Sequence, residues 1–295
     1  FVENLLVIIK LLYMKKITNH INIAGVIGDP ISHTRSPLIH NYWIKKSKII
    51  GFYIPLNVKS GDLEKKINYI KELEFCGLNV TIPHKENILA MADEIMESAR
   101  IIGAANTIYF KNGKIIADNS DTYGFKQSIL KNFPKYNFKK EKVLIFGSGG
   151  AARAVTSVFL KEKVLEISII NRNREKAEKI RDVLSSRIKI YDWNDYSKAL
   201  RDASTVVNTT SLGNLGFEKF SIDLKGVRKN GIAIDLVYNP LKTSFMKKAE
   251  KENLKAINGL DMLIYQAKKG FQQWFKKTPT YTPELRKLIE NSLKR

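Results

Sequence analysis

Apolar positions along this chain fall into two patterns, short unbroken runs and three-to-four spacings, and from Ile23 onward the two alternate. Ile23 to Ile27, Phe52 to Leu56 and Leu78 to Thr81 read as strands. Between them, Pro37 to Ser47 reads as a helix opened by proline, and Leu63, Ile67, Ile70 and Leu73 keep the spacing of a second helix that Ser60 can cap. Strand-helix-strand alternation predicts a mostly parallel sheet. A helical stretch is expected from Lys85 to about Ala99. Thr107 to Phe110 and Lys114 to Ala117 then flank Asn112-Gly113, a hairpin signal that predicts an antiparallel edge to this first sheet.

A helix is expected from Asp121 to about Phe133, where Pro134 ends the pattern, and the Lys-rich stretch Lys135 to Lys142 leads into a second alternating series. Its strands are Val143 to Phe146, Ile167 to Ile170, Ile188 to Tyr191, Thr205 to Val207 and Ile232 to Ile234. Near the end, Leu260, Leu263, Ile264, Ala267, Phe271, Trp274 and Phe275 share one face of an amphipathic helix, and Thr282-Pro283 predicts the cap and first turn of a last helix. The pattern is that of an α/β protein with two domains, the second Rossmann-like, and a cleft between them.

Length agrees, since 295 residues at roughly 150 per domain suit two cores. Charge adds a question. Lys and Arg number 50 against 29 Asp and Glu, a formal balance of +21, which is the electrostatic footprint of a nucleic-acid binder. The lysines, however, recur end to end in pairs such as Lys45-Lys46, Lys139-Lys140 and Lys247-Lys248, with no basic arm or zinc spacing, so solvated helix faces are expected and no nucleic-acid partner. One cysteine, Cys76, excludes an intramolecular disulfide framework and an all-cysteine metal site, and fits a reducing, cytoplasmic setting. Leu5 to Leu12 is far shorter than the roughly 20 apolar residues of a span and lacks a signal-peptide pattern, so no membrane association is expected. Met14 is a candidate natural start, and residues 1–20 are set aside as an N-terminal extension.

Candidate chemistry begins with Gly147-Ser148-Gly149-Gly150-Ala151-Ala152-Arg153, directly after a strand and before a helix. Glycines there allow a tight turn and let backbone N–H groups approach a pyrophosphate at the positive end of the helix. An NAD site wants an acidic residue about 20 positions on, to hold the ribose 2′-hydroxyl. This chain has Asn171-Arg172-Asn173-Arg174, with Lys176 close behind, and guanidinium groups suit the 2′-phosphate of NADP. Two polar clusters interrupt the first series. In His33-Thr34-Arg35-Ser36-Pro37, hydroxyls at a strand's carboxyl end can bind ligand oxygens, or Ser36 can simply cap the helix. In Asn79-Val80-Thr81-Ile82-Pro83-His84-Lys85, a lysine in a first helical turn opposes the helix dipole, which suits a proton carrier; an ordinary solvated lysine is the alternative.

Together these segments resemble the shikimate dehydrogenase family, which carries H-S-x-S-P, N-V-T-x-P-x-K, G-A-x-N-T, N-T-D, G-x-G-G-A-x-R-A, N-R-T, Y-N-P and G-x-x-M-L-x-x-Q in this order. Here they stand as His33 to Pro37, Asn79 to Lys85, Gly103 to Thr107, Asn119 to Asp121, Gly147 to Ala154, Asn171 to Asn173, Tyr238 to Pro240 and Gly259 to Gln266, over roughly Ile23 to Trp274. The resemblance implies NADP-dependent reduction of 3-dehydroshikimate to shikimate in chorismate and aromatic amino-acid biosynthesis, with Lys85 and Asp121 catalytic. It implies substrate contacts from Thr34, Ser36, Asn79, Thr81, Asn106, Tyr238 and Gln266. It places the cofactor on Gly147, Ser148, Gly149, Gly150, Ala151, Asn171, Arg172, Asn173, Arg174 and Lys176, with Glu97 and Gly259 nearby. The implied layout is a substrate-binding and catalytic domain at 21–121, a cofactor domain at 122–257, and C-terminal helices at 258–295 returning to the first, in a monomer or homodimer.

Departures from the family pattern are Thr34 for the first serine, which adds a methyl beside the carboxylate pocket, Ser120 and Thr122 around Asp121, and Asn173 for threonine. A quinate/shikimate dehydrogenase using NAD or NADP is the nearest alternative; its NAD-using form would favour an acidic residue after Ile170, where none stands. A glutamyl-tRNA reductase-like protein would need a nucleophilic cysteine, a role that Cys76, between a helix and a strand, does not suit. A non-catalytic NADP-binding protein would have no need of both Lys85 and Asp121.

Overall fold

A computed structural model describes residues 21–294; the expected extension, residues 1–20, lies outside the described residues. Its strands form two six-stranded sheets. The first contains β1 (Asn22–Gly28), β2 (Gly51–Asn57), β3 (Gly77–Val80), β4 (Glu94–Ile95), β5 (Thr107–Lys111) and β6 (Lys114–Asp118), in the order β2-β1-β3-β5-β6-β4. β1 runs parallel to β2 and β3, and the β5–β6 hairpin is antiparallel to β3. The hairpin turns where the sequence says it should, because Asn112 (φ 51°) and Gly113 (φ 74°) both adopt the left-handed backbone that a two-residue turn of this hand requires. Helices α1 (Ser36–Lys46), α2 (Leu63–Glu72) and α3 (Glu97–Ile102) accompany this sheet.

Four local expectations are corrected. The helix expected from Lys85 to Ala99 is instead a 3₁₀ turn (Asn87–Met91), the strand β4 and the short helix α3. Pairing of Glu94 and Ile95 with Ile116 and Ala117, and the bond from the Ile115 amide to the Asp93 carboxylate (2.7 Å), hold this stretch to the sheet and override its helical spacing. β4 therefore lies outside the hairpin, which is not the sheet's edge. Ser60 caps nothing: it opens a 3₁₀ turn, and α2 starts at Leu63 without a side-chain cap. Ser36 is the first residue of α1, not its cap, and its amide is held by the Thr34 hydroxyl at 3.3 Å. Thr282 does cap the last helix, accepting from the Leu285 amide at 3.2 Å.

From the first sheet, α4 (Asp121–Asn132) leads to β7 (Lys142–Phe146). There follow α5 (Gly150–Lys161), β8 (Glu166–Ile170), α6 (Arg174–Leu184), β9 (Lys189–Tyr191), α7 (Tyr196–Leu200), β10 (Thr205–Asn208), β11 (Ile232–Asp235), α8 (Ser244–Lys251) and β12 (Lys255–Ile257). The strand order is β12-β11-β10-β7-β8-β9 and every pairing is parallel. The chain leaves β7 toward β8 on one side and β10 on the other, and such a switch point opens a crevice at the carboxyl ends of the strands. Three-residue β12 gives no period of its own and was not among the expected strands.

The last two helices, α9 (Leu260–Phe275) and α10 (Pro283–Ser292), go back to the first sheet. Leu260, Ile264, Ala267, Phe271, Trp274, Phe275, Leu285 and Ile289 share one buried cluster with Ala24, Val26, Ile39 and Trp43. At about 1.5–3 kcal/mol for each large side chain buried, this face is a main source of the first sheet's stability. The Trp274 indole donates to the Ile108 carbonyl at 3.0 Å, fixing α9 to β5. At its start, α9 is anchored through Asp261, 2% exposed, which accepts from Lys131 (2.7 Å), Asn132 (2.7 Å), Arg286 (2.6 Å) and the Tyr281 hydroxyl.

A second buried carboxylate behaves oppositely. Asp235, fully buried at the end of β11, is pushed from 3.8 up to about 6 by burial, against the bonds from Thr243, the Val237 amide and Asn208. Its folded value lies above its unfolded one, so the stability it contributes is complete below pH 3.8 and is lost as pH rises through about 6. The difference corresponds to about 3 kcal/mol. Asp235→Asn is expected to remove this decline, and urea unfolding at pH 5 and pH 8 should then give a smaller difference in stability than in the parent chain.

Candidate active site

Two cavities are lined by the residues singled out above. The first, of about 480 Å³, is lined by Thr34 and Ser36 from the start of α1, Asn79 in β3 and Thr81 just after it, Lys85, Asn106, Asp121, Tyr238 and Gln266. Ala151 and Gly259 also reach it. The second, of about 950 Å³, is lined by Gly147, Ser148, Gly149, Asn171, Arg172, Asn173 and Lys176, with Glu86, Arg153, Thr209 and Thr210. Lys85 faces one and its neighbour Glu86 the other.

Polar groups in the first cavity form one connected network. Lys85 Nζ lies 3.2 Å from Asp121 Oδ2, and their side chains are 32% and 12% exposed. The other oxygen, Asp121 Oδ1, accepts from the Asn106 amide at 2.7 Å. Asn106 Oδ1 in turn accepts from the Ser120 amide (2.9 Å) and the Thr107 hydroxyl (3.0 Å), so its orientation is determined. Gln266 Oε1 comes within 3.4 Å of Asn106 Nδ2 and 3.3 Å of Ser120 Oγ, which ties α9 into the site. Asn79 donates to the Asn106 carbonyl (3.1 Å) and accepts from the buried Tyr53 hydroxyl (2.6 Å). Burial pushes the Tyr53 phenol well above its ordinary range, so it stays a donor. Burial likewise raises Tyr238, with the Arg35 charge opposing.

Lys85 sits in a turn, so there is no α-helix whose dipole it could oppose. What stands beside it is the Asp121 carboxylate. Asp121 is the first residue of α4, where a negative charge is favourable; Ser120 occupies the capping position, and Asp121's own amide is held by Asn119 Oδ1 at 2.9 Å.

The second cavity suits a dinucleotide. Helix α5 begins after Gly149 with no side-chain cap, leaving its first N–H groups to a ligand. Gly147 holds φ 112°, and a Cβ there would meet the Thr209 hydroxyl at 2.5 Å, whereas a Cβ on Gly149 would project into open space. Asn173 is also the cap of α6, accepting from the Lys176 amide at 3.0 Å. Three expected cofactor residues line neither cavity, and one of them, Gly150, is the first residue of α5, directly behind the Gly-rich turn. Arg174 is turned to Glu178 (3.0 Å) and Asp192 (2.9 Å) along the outer face of α6, and Glu97 is the exposed first residue of α3. Thr209, Thr210, Arg153, Glu86 and Asn214 were not anticipated; the threonines follow β10 across the switch point, which was signal enough, and Asn214 carries no local signal. Among the described residues no His, Cys, Asp or Glu side chains group as metal ligands, and no helix is long and apolar enough to cross a membrane.

Comparison with known proteins gives two family matches: a shikimate dehydrogenase substrate-binding domain over residues 26–108, and shikimate / quinate 5-dehydrogenase over residues 128–238. A shikimate dehydrogenase (NADP(+)) of Cereibacter sphaeroides is 41% identical over 92% of this chain and 99% of its own length. One from Ruegeria sp. is 40% identical over 92% and 99%. Among solved structures, Listeria monocytogenes shikimate 5-dehydrogenase in complex with shikimate and NAD aligns with a TM-score of 0.84 at 28% identity, covering 94% of this chain and 98% of that one. The Thermus thermophilus enzyme in complex with NADP(H) and shikimate gives 0.80 at 27%, covering 93% and 99%.

Proposed function

This chain belongs to the shikimate dehydrogenase family of NADP-dependent oxidoreductases, and from that premise we propose that Lys85 and Asp121 carry the proton side of its reaction. The observation that carries this reading is the Lys85–Asp121–Asn106 network in the first cavity, where Lys85 adjoins Glu86 of the second. In reduction of a ring ketone, the Lys85 ammonium donates to the carbonyl oxygen and passes its proton to the developing alkoxide. Asp121 holds the ammonium in place and accepts from a neighbouring substrate hydroxyl; Asn106 keeps the carboxylate from rotating. The bound nicotinamide supplies the hydride in this direction and takes it up in the other.

The remaining lining fits 3-dehydroshikimate and shikimate, six-membered rings with a carboxylate and several oxygens. Thr34 and Ser36 offer hydroxyls to the carboxylate; Asn79, Thr81, Tyr238 and Gln266 surround the ring. Gly147, Ser148 and Gly149 would hold the pyrophosphate, and Arg172 and Lys176 the 2′-phosphate. The proposal includes the division at 21–121, 122–257 and 258–295, supported by the cluster that α9 and α10 share with β1, a monomer or homodimer as working unit, and a cytoplasmic setting, which a single cysteine favours.

The test is a steady-state comparison of shikimate and quinate, each with NADP⁺ and NAD⁺, following reduced-cofactor absorbance. Shikimate with NADP⁺ is expected to give the highest kcat/KM. Higher efficiency with quinate and NAD⁺ would move the chain to the quinate-oxidising branch.

A further inference from the structure

Arg172, at the end of β8, does not stand free over the cofactor cavity. Its guanidinium lies over the Trp193 ring at 5.5 Å, and its Nη2 is 3.3 Å from Glu218 Oε2. Both partners are largely exposed, at 63% and 79%. Glu218 closes a loop that begins after β10. The Gly213 amide donates to the Glu218 carbonyl (2.7 Å), Asn208 holds the Leu212 carbonyl (3.1 Å), and the Leu215 amide donates to the Asn239 carbonyl (2.8 Å). The loop backbone is thus tied at both ends. Its first residues, Thr209, Thr210 and Ser211, line the cofactor cavity, and Asn214 lines the substrate cavity. In a chain where cations outnumber carboxylates 50 to 29, a carboxylate sits on the one side chain best placed for a 2′-phosphate.

We propose that Glu218 sets how strongly this chain prefers NADP over NAD, by occupying the Arg172 guanidinium that a 2′-phosphate must take. This rests on the reading that the adenosine end of the cofactor lies at Arg172. A 2′-phosphate gains the Arg172 fork only by displacing the Glu218 carboxylate, and it then lies beside a like charge. A 2′-hydroxyl makes no such demand, because a neutral group can sit beside an intact Arg172–Glu218 pair. The exposed pair is itself weak, so displacement is readily reversible and the preference is tempered, not reversed. Glu218 acts through Arg172 and is a specificity residue without contact with the reacting atoms.

Isothermal titration with NADP⁺ alone and NAD⁺ alone reads this without turnover. Glu218→Gln is expected to bind NADP⁺ about five-fold more tightly at low salt, with NAD⁺ changed less than two-fold, and the gain should shrink as salt screens the charge. In an Arg172→Ala background the same substitution should give a clearly smaller gain, because only the like-charge repulsion is then relieved and no guanidinium is freed; an undiminished gain would show that Glu218 does not act through Arg172. Unchanged or weaker NADP⁺ binding by Glu218→Gln, with Arg172→Ala still selectively losing NADP⁺, would overturn the role given to Glu218 alone. Equal loss of NADP⁺ and NAD⁺ affinity in Arg172→Ala would overturn the placement of the 2′-phosphate on which it rests. Both side chains lie at the surface, and a thermal melt of each variant confirms its fold.

Discussion

Lys85→Ala is expected to lower kcat for shikimate oxidation roughly 10²–10⁴-fold while moving the KM for shikimate only a few-fold. The asymmetry follows from where the ammonium points. Lys85 reaches its partner Asp121 across 3.2 Å from a turn whose backbone is fixed on its other side, where the Ala105 amide donates to the Lys85 carbonyl at 2.7 Å. The bound ring has many other contacts available from Ser36, Asn79, Asn106 and Gln266, and these remain after truncation. What is lost is the group that exchanges a proton with the substrate oxygen, an interaction that strengthens as charge develops. Asp121 remains, held by Asn106 at 2.7 Å, but a carboxylate without its cation has no positive charge to offer an alkoxide. A large rise in KM with kcat intact would instead assign Lys85 to binding.

The largest effect on stability is expected from Asp261→Ala, about 3 kcal/mol, read as a drop in urea midpoint or roughly 6–12 °C in melting temperature. Removing this carboxylate orphans donors from two cations, Lys131 and Arg286, together with Asn132 and Tyr281. Each cation is about one-third exposed and recovers some hydration, which keeps the cost at the lower end for a broken buried pair. Burial alone would raise the Asp261 carboxyl; the donors from Asn132, Lys131, Tyr281 and Arg286 outweigh it and hold the group below its ordinary value. Its folded value is therefore depressed, and its stabilising contribution is present above the unfolded value near 4 and lost as pH falls further. The parent chain should lose this part of its stability in acid, and the alanine variant should show less acid dependence. Equal midpoints for both chains at pH 7 would show that the four donors find other partners.

The strands, the hairpin turn and the phosphate-cradling loop were legible because each is written locally: unbroken apolar runs, Asn112-Gly113, and glycines directly after β7. The stretch from Lys85 to Ile102 was not. Its helical spacing is real, but Glu94 and Ile95 are claimed by Ile116 and Ala117, a pairing some twenty residues away that no local window contains. The site shows the same division. Resemblance named Lys85, Asn106 and Asp121, while the hydrogen bonds that make them one unit come only from the way β3, β5 and α4 converge. Arg172 and Arg174 look equivalent in sequence. They differ because Arg174 has entered α6, whose first turn aims it at Glu178 and Asp192, while Arg172 precedes the helix. Glu218 carries no local signal for the same reason that the two arginines look alike: charge in a sequence says nothing about direction.

The return of α9 and α10 to the first sheet imposes an order on folding during synthesis. Trp274 bonds to Ile108 across 166 residues, and the strands of the second sheet, from Lys142 to Ile257, all lie between them. A chain emerging from the ribosome can complete that parallel sheet while the first sheet still lacks its cover, and domains fold as units in the order their residues arrive. Val26, Ile39 and Trp43 thus wait, one face bare, until Leu260 to Ile289 have been made. The half of the molecule translated first is the half that finishes folding last, and the interval between is when a nascent chain of this design most needs protection from aggregation.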